Sequence, residues 1–310
     1  NMSKQPLRTV PHGVMHVPVT PFKDDMSVDY ATFEKLVDWH VRQKPSSLCV
    51  ILHIAESVSL TVEEHKKLIE VSVKVTNGRV PVIANVSNAG TEIAIDLARH
   101  AEKVGADATI CLAPYYWPVP EEALHDHFYR VAKASSLPFM IYNSPIFHGT
   151  SLSPKFLVRL IEELPNFIGE KEASHNFEYF IEARRLTQKV RPEFGLILGV
   201  EYIIPSMSMG GVGSMSIAGS VAPNIMQKLY DLCAAGKYGE ALPLQDKASH
   251  YWQIFKPEYP SPIKAAMEMM GRPVGVVRGP MRPLTDAQKK TLRKELEVLG
   301  AFDGSEPMGW

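Results

Sequence analysis

LPFMIYNSPIFHGTSLSPKFLVRLIEELPNFIGEKEAS, residues 137–174, holds one complete strand–helix–strand unit. Residues 139–142 are a short apolar run that ends in the turn formers Asn143, Ser144 and Pro145. Residues 154–164 place apolar side chains at three-to-four spacing, and 167–171 form a second apolar run that closes on Lys171. Two strands joined by a helix lie parallel, because the crossover carries the chain back to its starting edge. The same alternation predicts strands over 13–20, 47–54, 80–85, 108–113, 139–142, 167–171, 195–199 and 213–216. Helical patterns such as 61–75, 91–104 and 121–134 lie between them, and Thr61 with Glu64 is a helix-start pair. Eight such units predict a closed (β/α)8 barrel, class α/β. The competing open, doubly wound sheet would carry Gly-x-Gly-x-x-Gly after its first strand, and the chain has none there. Three further helical patterns, 239–255, 262–270 and 285–299, predict a C-terminal helical extension, so that 1–236 is the barrel and 237–310 packs on it.

A length of 310 residues suits one large barrel or two ordinary domains. With 45% hydrophobic and 22% charged residues the chain can bury a large core. Lys+Arg at 33 against Asp+Glu at 34 leaves no positive excess for nucleic acid or an anionic membrane, so a small-molecule partner is expected. Cys49, Cys111 and Cys233 are odd in number, widely spaced and set in apolar stretches, which argues against disulfides and metal clusters and for a reducing cytoplasm. The opening Asn-Met-Ser-Lys-Gln-Pro lacks the apolar core of a signal peptide, and Asn1 ahead of Met2 reads as an added residue. No apolar run approaches the roughly 20 residues that span a bilayer.

Active sites of such barrels lie at the C-terminal ends of the strands. Tyr142 closes the fifth run, Lys171 the sixth, and the end of the second places His53 and Glu56 at the rim. A lysine there forms an imine with a ketone only as the neutral amine, a state that burial favours; the apolar run before Lys171 supplies it. The imine is an electron sink for making or breaking a C–C bond, and a phenol such as Tyr142 can move the proton. The bland alternatives are a lysine that snorkels out of a strand end and a tyrosine that packs. His125-Asp126-His127 resembles a metal pair, but residues two apart on a helix face different ways. Met267-Glu268-Met269-Met270 and Tyr251-Trp252 read as helix packing, at a subunit interface or within the chain.

These islands together resemble the dihydrodipicolinate synthase and N-acetylneuraminate lyase superfamily of pyruvate-dependent aldolases. Val17-Pro18-Val19-Thr20-Pro21-Phe22 is similar to its first strand, Pro114-Tyr115-Tyr116 to its Pro-Tyr-Tyr segment, and Tyr142-Asn143-Ser144-Pro145 to its Tyr-Asn-x-Pro. Gly169-Glu170-Lys171-Glu172-Ala173-Ser174 is similar to its Gly-x-Lys-[Asp/Glu]-[Ala/Ser]-[Ser/Thr], with Gly210–Ser214 and Ser261–Ala266 also in register. The resemblance implies that Lys171 forms the Schiff base, that Tyr142 handles protons, and that Tyr116 completes the relay from a neighbouring subunit. It implies a homo-oligomer, dimer or tetramer of two dimers, with no metal and no cofactor beyond the covalent imine.

The pattern breaks in the second half of the site. The family normally ends its second strand in Gly-[Thr/Ser]-Thr-Gly-Glu, whose hydroxyls and amides hold the pyruvate carboxylate; this chain has Leu52-His53-Ile54-Ala55-Glu56. His53 is either a replacement donor or a buried histidine satisfied by backbone, and the Ile54 and Ala55 N–H groups can still cradle a carboxylate. Phe147 stands where dihydrodipicolinate synthases place an arginine for their second substrate's carboxylate, which speaks against that activity. Sialic-acid lyases carry Gly-x-Asp-Glu after strand seven; Gly199-Val200-Glu201-Tyr202 keeps one acid, and Ser214 offers a hydroxyl. Ile54, Trp117, Phe147 and Met215 suggest an acceptor less polar than a sugar, an aromatic or aliphatic aldehyde. The chain thus reads as a divergent Schiff-base aldolase or lyase that joins or releases a 2-oxo acid and an aldehyde. The alternatives are dihydrodipicolinate synthase, sugar-acid lyase or dehydratase activity, and a non-catalytic ligand-binding protein on the same scaffold.

Overall fold

The apolar runs become eight parallel strands that pair in chain order, and the last pairs with the first, so the sheet is a closed barrel and not an open one. The computed structural model describes residues 7–310; the opening segment on which the signal-peptide expectation rests lies outside the described residues. The order is β1 (Gly13–His16), α1 (Tyr30–Arg42), β2 (Ser47–Val50), α2 (Val62–Thr76), β3 (Val82–Asn85), α3 (Thr91–Val104), β4 (Ala108–Leu112), α4 (Glu121–Lys133) and β5 (Phe139–Asn143). Then come α5 (Pro145–His148), α6 (Pro154–Glu163), β6 (Phe167–Glu172), α7 (Phe177–Val190), β7 (Gly195–Gly199), α8 (Ile203–Ser208), β8 (Gly213–Ser216) and α9 (Pro223–Ala234). The last helices are α10 (Tyr238–Phe255), α11 (Ser261–Met269) and α12 (Asp286–Val298).

Local chemistry explains most boundaries. Thr61 and Glu64 form a reciprocal capping box at the start of α2, and Thr285 with Gln288 does the same for α12. The second strand stops earlier than its apolar run suggests. Ile51 takes φ +62°, a left-handed conformation unfavourable for a β-branched residue, and the chain turns into a 3-10 turn over His53–Ala55. The short helices α5 and α8 have too few residues for a visible period; Pro145 starts α5 and Gly149, at φ +69°, stops it.

Three glycines seal the lower barrel by close approach. A Cβ on Gly169 or Gly195 would lie 2.2 or 2.7 Å from Val10 Cγ2, and one on Gly213 would lie 2.0 Å from the Gly13 carbonyl oxygen. Val10 is fully buried and so plugs that end. Cys49, Cys111 and Cys233 are buried free thiols. No helix among the described residues is long and apolar enough to cross a membrane.

Strand alternation then sorts β6 by face. Tyr142 pairs with Lys171 in the row that faces the interior, and Asn143 with Glu172 in the row that faces outward. Glu170 is also outward: the Tyr179 hydroxyl of α7 donates to its Oε1 at 2.7 Å. Burial of Glu170 raises its carboxyl to about 8. The C-terminal helices return to the barrel mouth, where Lys264 Nζ of α11 stands 2.7 Å from Glu56 Oε2 and donates to the Thr20 and Val276 carbonyls, both at 2.7 Å. The Arg278 N–H donates to the other oxygen, Glu56 Oε1, at 2.8 Å.

Removing one partner of a buried pair leaves an uncompensated charge. Lys264→Met is therefore expected to lower unfolding free energy by about 3–5 kcal/mol, read from urea denaturation. Glu170 predicts a pH effect of known sign. The folded state keeps a proton that the unfolded carboxyl releases near its ordinary value, so this group's contribution falls as pH rises towards about 8 and is level above it. Glu170→Gln should flatten the stability profile across that window and stabilise the protein at its alkaline end, in denaturation midpoints measured against pH.

Candidate active site

Lys171 is 7% exposed, and its Nζ stands 4.0 Å over the centre of the Tyr142 ring. Among the described residues it has no hydrogen-bond or ion-pair partner. Lys264, equally buried, has three oxygens around it. A nucleophilic lysine needs the first setting, apart from water and anions; a structural one needs the second. Gly199 keeps space beside the Lys171 stem, since a Cβ there would meet Lys171 Cε at 3.5 Å and Ala173 Cβ at 3.1 Å.

His53 is half-buried and lies between two rings, Phe147 at 4.1 Å and 23°, and Tyr259 at 5.2 Å and 6°. Burial, with Lys171 close by, lowers it to about 4, so the imidazole is neutral at pH 7 and offers one N–H and one lone pair. It has no backbone hydrogen-bond partner among the described residues, which sets aside the backbone-satisfied alternative. The expectation for Ala55 needs correction: its N–H donates to the Leu52 carbonyl at 3.0 Å, closing the 3-10 turn, which leaves only Ile54 of that pair as an amide donor. The Ile54 side chain is 2% exposed and packs in the core. Glu56, expected at the rim, is taken up by Lys264.

Glu201 is fully buried. Its Oε1 accepts from Ser216 Oγ at 2.9 Å and the Ala218 N–H at 2.6 Å, while Oε2 has no partner. Burial raises its carboxyl to about 7, with Lys171 opposing. It is therefore an internal acid with one oxygen tied and the other untied. Ser214 also needs correction: it pairs with Leu198 in the outward row, and its hydroxyl donates to the Val200 carbonyl. Met215, in the Gly199 row, points inward but is 1% exposed and fills the barrel. Tyr116 is 86% exposed at φ +79°, edge-on to the exposed Trp117 at 5.2 Å, and does not reach this chain's own site.

A cavity of about 330 Å³ opens over the mouth, lined by His53, Val58, Tyr115, Tyr142, Ile146 and Phe147 among others, with no lysine or arginine in its wall. Tyr142 joins it to Lys171. His125 bonds Glu163 while His127 bonds Thr91, so the two histidines diverge, and among the described residues no group of three or more His, Cys, Asp or Glu is placed to hold a metal. Sequence reasoning missed Tyr259, which lies between two helices in a Pro-Glu-Tyr-Pro segment with no periodic pattern to mark it.

Comparison with known proteins agrees over nearly the whole chain. Residues 10–299 match the dihydrodipicolinate synthetase family. The 4-hydroxy-tetrahydrodipicolinate synthase of Bartonella bacilliformis is 35% identical over 290 residues, covering 93% of this chain and 98% of its own. That of Methanopyrus kandleri is 33% identical, covering 93% and 96%. A crystal structure of dihydrodipicolinate synthase superposes with a TM-score of 0.87 at 33% identity, covering 94% of this chain and all of the other. YagE, a prophage protein of the dihydrodipicolinic acid synthase family from E. coli K12 in complex with pyruvate, gives 0.90 at 26% identity, covering 94% and 99%. The chain belongs to the dihydrodipicolinate synthetase family, and with it to the carbon–carbon lyases of the class I aldolase type.

Proposed function

We propose that Lys171 captures a 2-oxo acid, pyruvate being the common partner, and that Tyr142 moves protons to and from the resulting imine. The observation that carries this reading is the buried Lys171 amine on the face of Tyr142, with no hydrogen-bond or ion-pair partner among the described residues. The imine itself is the electron sink, so the chemistry asks for no metal or coenzyme. Neutral His53 and the Ile54 N–H offer donors to the carboxylate. The second substrate is an uncharged, apolar aldehyde, because Val58, Ile146 and Phe147 line the cavity and no cation does. Tyr116, exposed at the rim, serves a neighbouring copy in a dimer or a tetramer of two dimers. Buried free thiols suit work in the cytoplasm.

A second reading, dihydrodipicolinate synthase activity, is favoured by the names of the relatives. Against it stands Phe147, which cannot pair with the carboxylate of that enzyme's second substrate.

Borohydride reduction with pyruvate, followed by peptide mapping, is expected to mark Lys171, and Lys171→Met should abolish the mark. No adduct with any 2-oxo acid overturns the reading. Within it, His53→Ala should slow capture about tenfold or more, as expected for a lost hydrogen bond to a charged group, and Phe147→Ala should slow it less. Equal effects remove His53 from the carboxylate site.

A further inference from the structure

Four rings form one column across the barrel mouth. Trp252 of α10 stands edge-on to Tyr259 at 6.2 Å, Tyr259 lies parallel to His53 at 5.2 Å and 6°, and His53 stacks on Phe147 of α5 at 4.1 Å and 23°. Rings hold such offset and edge-on contacts because the negative face of one meets the positive edge of the next. Tyr259 and His53 therefore each have two aromatic neighbours, whereas Phe147, the last ring, has one among the described residues. Phe147 is 40% exposed and lines the cavity of about 330 Å³ over the mouth. The column thus ends on an aromatic surface that is braced from behind and faces the space open to a second substrate. A ring already fixed by its neighbour has little further freedom to lose when a ligand settles on it. The rest of the wall narrows what can use that surface. Val58, Leu112 and Ile146 are apolar, no lysine or arginine lines the space, and Tyr142 bounds it on the side of Lys171. The cavity is near the lower end of small-molecule sites, which run from roughly 300 to 1,000 Å³, and so suits one flat ring.

We propose that the second substrate is an aromatic aldehyde whose ring stacks on Phe147 and extends the column by one member. This rests on Lys171 capturing pyruvate. With the ring on Phe147, the carbonyl group can lie towards Tyr142, which lines the same cavity and stands against the Lys171 amine. The enamine C=C pair forms the new bond to the carbonyl carbon, the carbonyl π pair moves to its oxygen, and that oxygen takes, through Tyr142, the proton that the pyruvate methyl group gave up. The lysine nitrogen pair restores the iminium, water adds to it, and a 4-hydroxy-2-oxo acid bearing the aryl group leaves as the amine is freed; the reverse sequence is cleavage. An alicyclic aldehyde of the same size covers the same apolar wall and forgoes the stacking, so Phe147 sets the choice between the two.

Benzaldehyde and cyclohexanecarbaldehyde, each offered with pyruvate, test this, because they share a carbon skeleton and differ in the π system of the ring. Aromatic pairing adds about two- to tenfold to what area burial alone gives. The ratio of their kcat/KM values is expected to fall about three- to tenfold from the parent to Phe147→Leu, a comparison in which intrinsic reactivity cancels, and to stay within about twofold in Phe147→Tyr, which keeps the ring. In the parent, benzyl alcohol should inhibit the condensation about threefold more tightly than cyclohexylmethanol, a measurement that needs no variant. An unchanged ratio in Phe147→Leu, or equal inhibition by the two alcohols, overturns the stacking. A parent protein that forms the borohydride-trapped adduct with pyruvate yet consumes neither aldehyde, or only the alicyclic one, overturns the substrate class and leaves capture by Lys171 standing. A parent protein that forms no adduct fails that capture itself.

Discussion

A single buried ion pair, Glu56 with Lys264, fixes the working end of this barrel. Both side chains are 3% exposed, and the charges are matched by short bonds to Thr20, Val276 and Arg278, so the desolvation penalty is offset by full coordination. The pair joins the turn after β2 to α11, across more than 200 residues of chain. His53 precedes Glu56 by three positions and Tyr259 precedes Lys264 by five, so the two partners of the ion pair carry the two faces of one aromatic stack. Two motifs that look unrelated in sequence are thus halves of one clamp.

Among the described residues two lysines are buried, and the barrel sets them in opposite environments. Around Lys264 every proton finds an oxygen, which makes it a structural cation. Around Lys171 there is an aromatic face and the space left by Gly199. Proximity to the mouth does not separate them; the supply of acceptors does. Hydrogen bonding is withheld from one amine and saturated at the other, and the fold tolerates the first because the turn after β2 is tied down by the second.

Much of this was legible in the sequence, and the failures share a cause. The meeting of Lys171 with Tyr142 is legible because each closes an apolar run and the two runs become neighbouring strands. The row of Ser214 follows from the parity of β8 relative to Gly199, which hydrophobic pattern alone does not reveal. Ala55 was expected to present its amide because the turn that takes it up is set by Ile51 at φ +62°, a backbone state no propensity predicts for isoleucine. Tyr259 was invisible because its meaning comes from His53, a partner brought near by tertiary folding only.

Val10, fully buried, packs where β6 and β7 begin, because Gly169 and Gly195 leave room for it there. The two glycines and the valine are therefore bound to one another's size: a methyl group added at either glycine would meet the valine side chain before anything else, so the three positions can change only together.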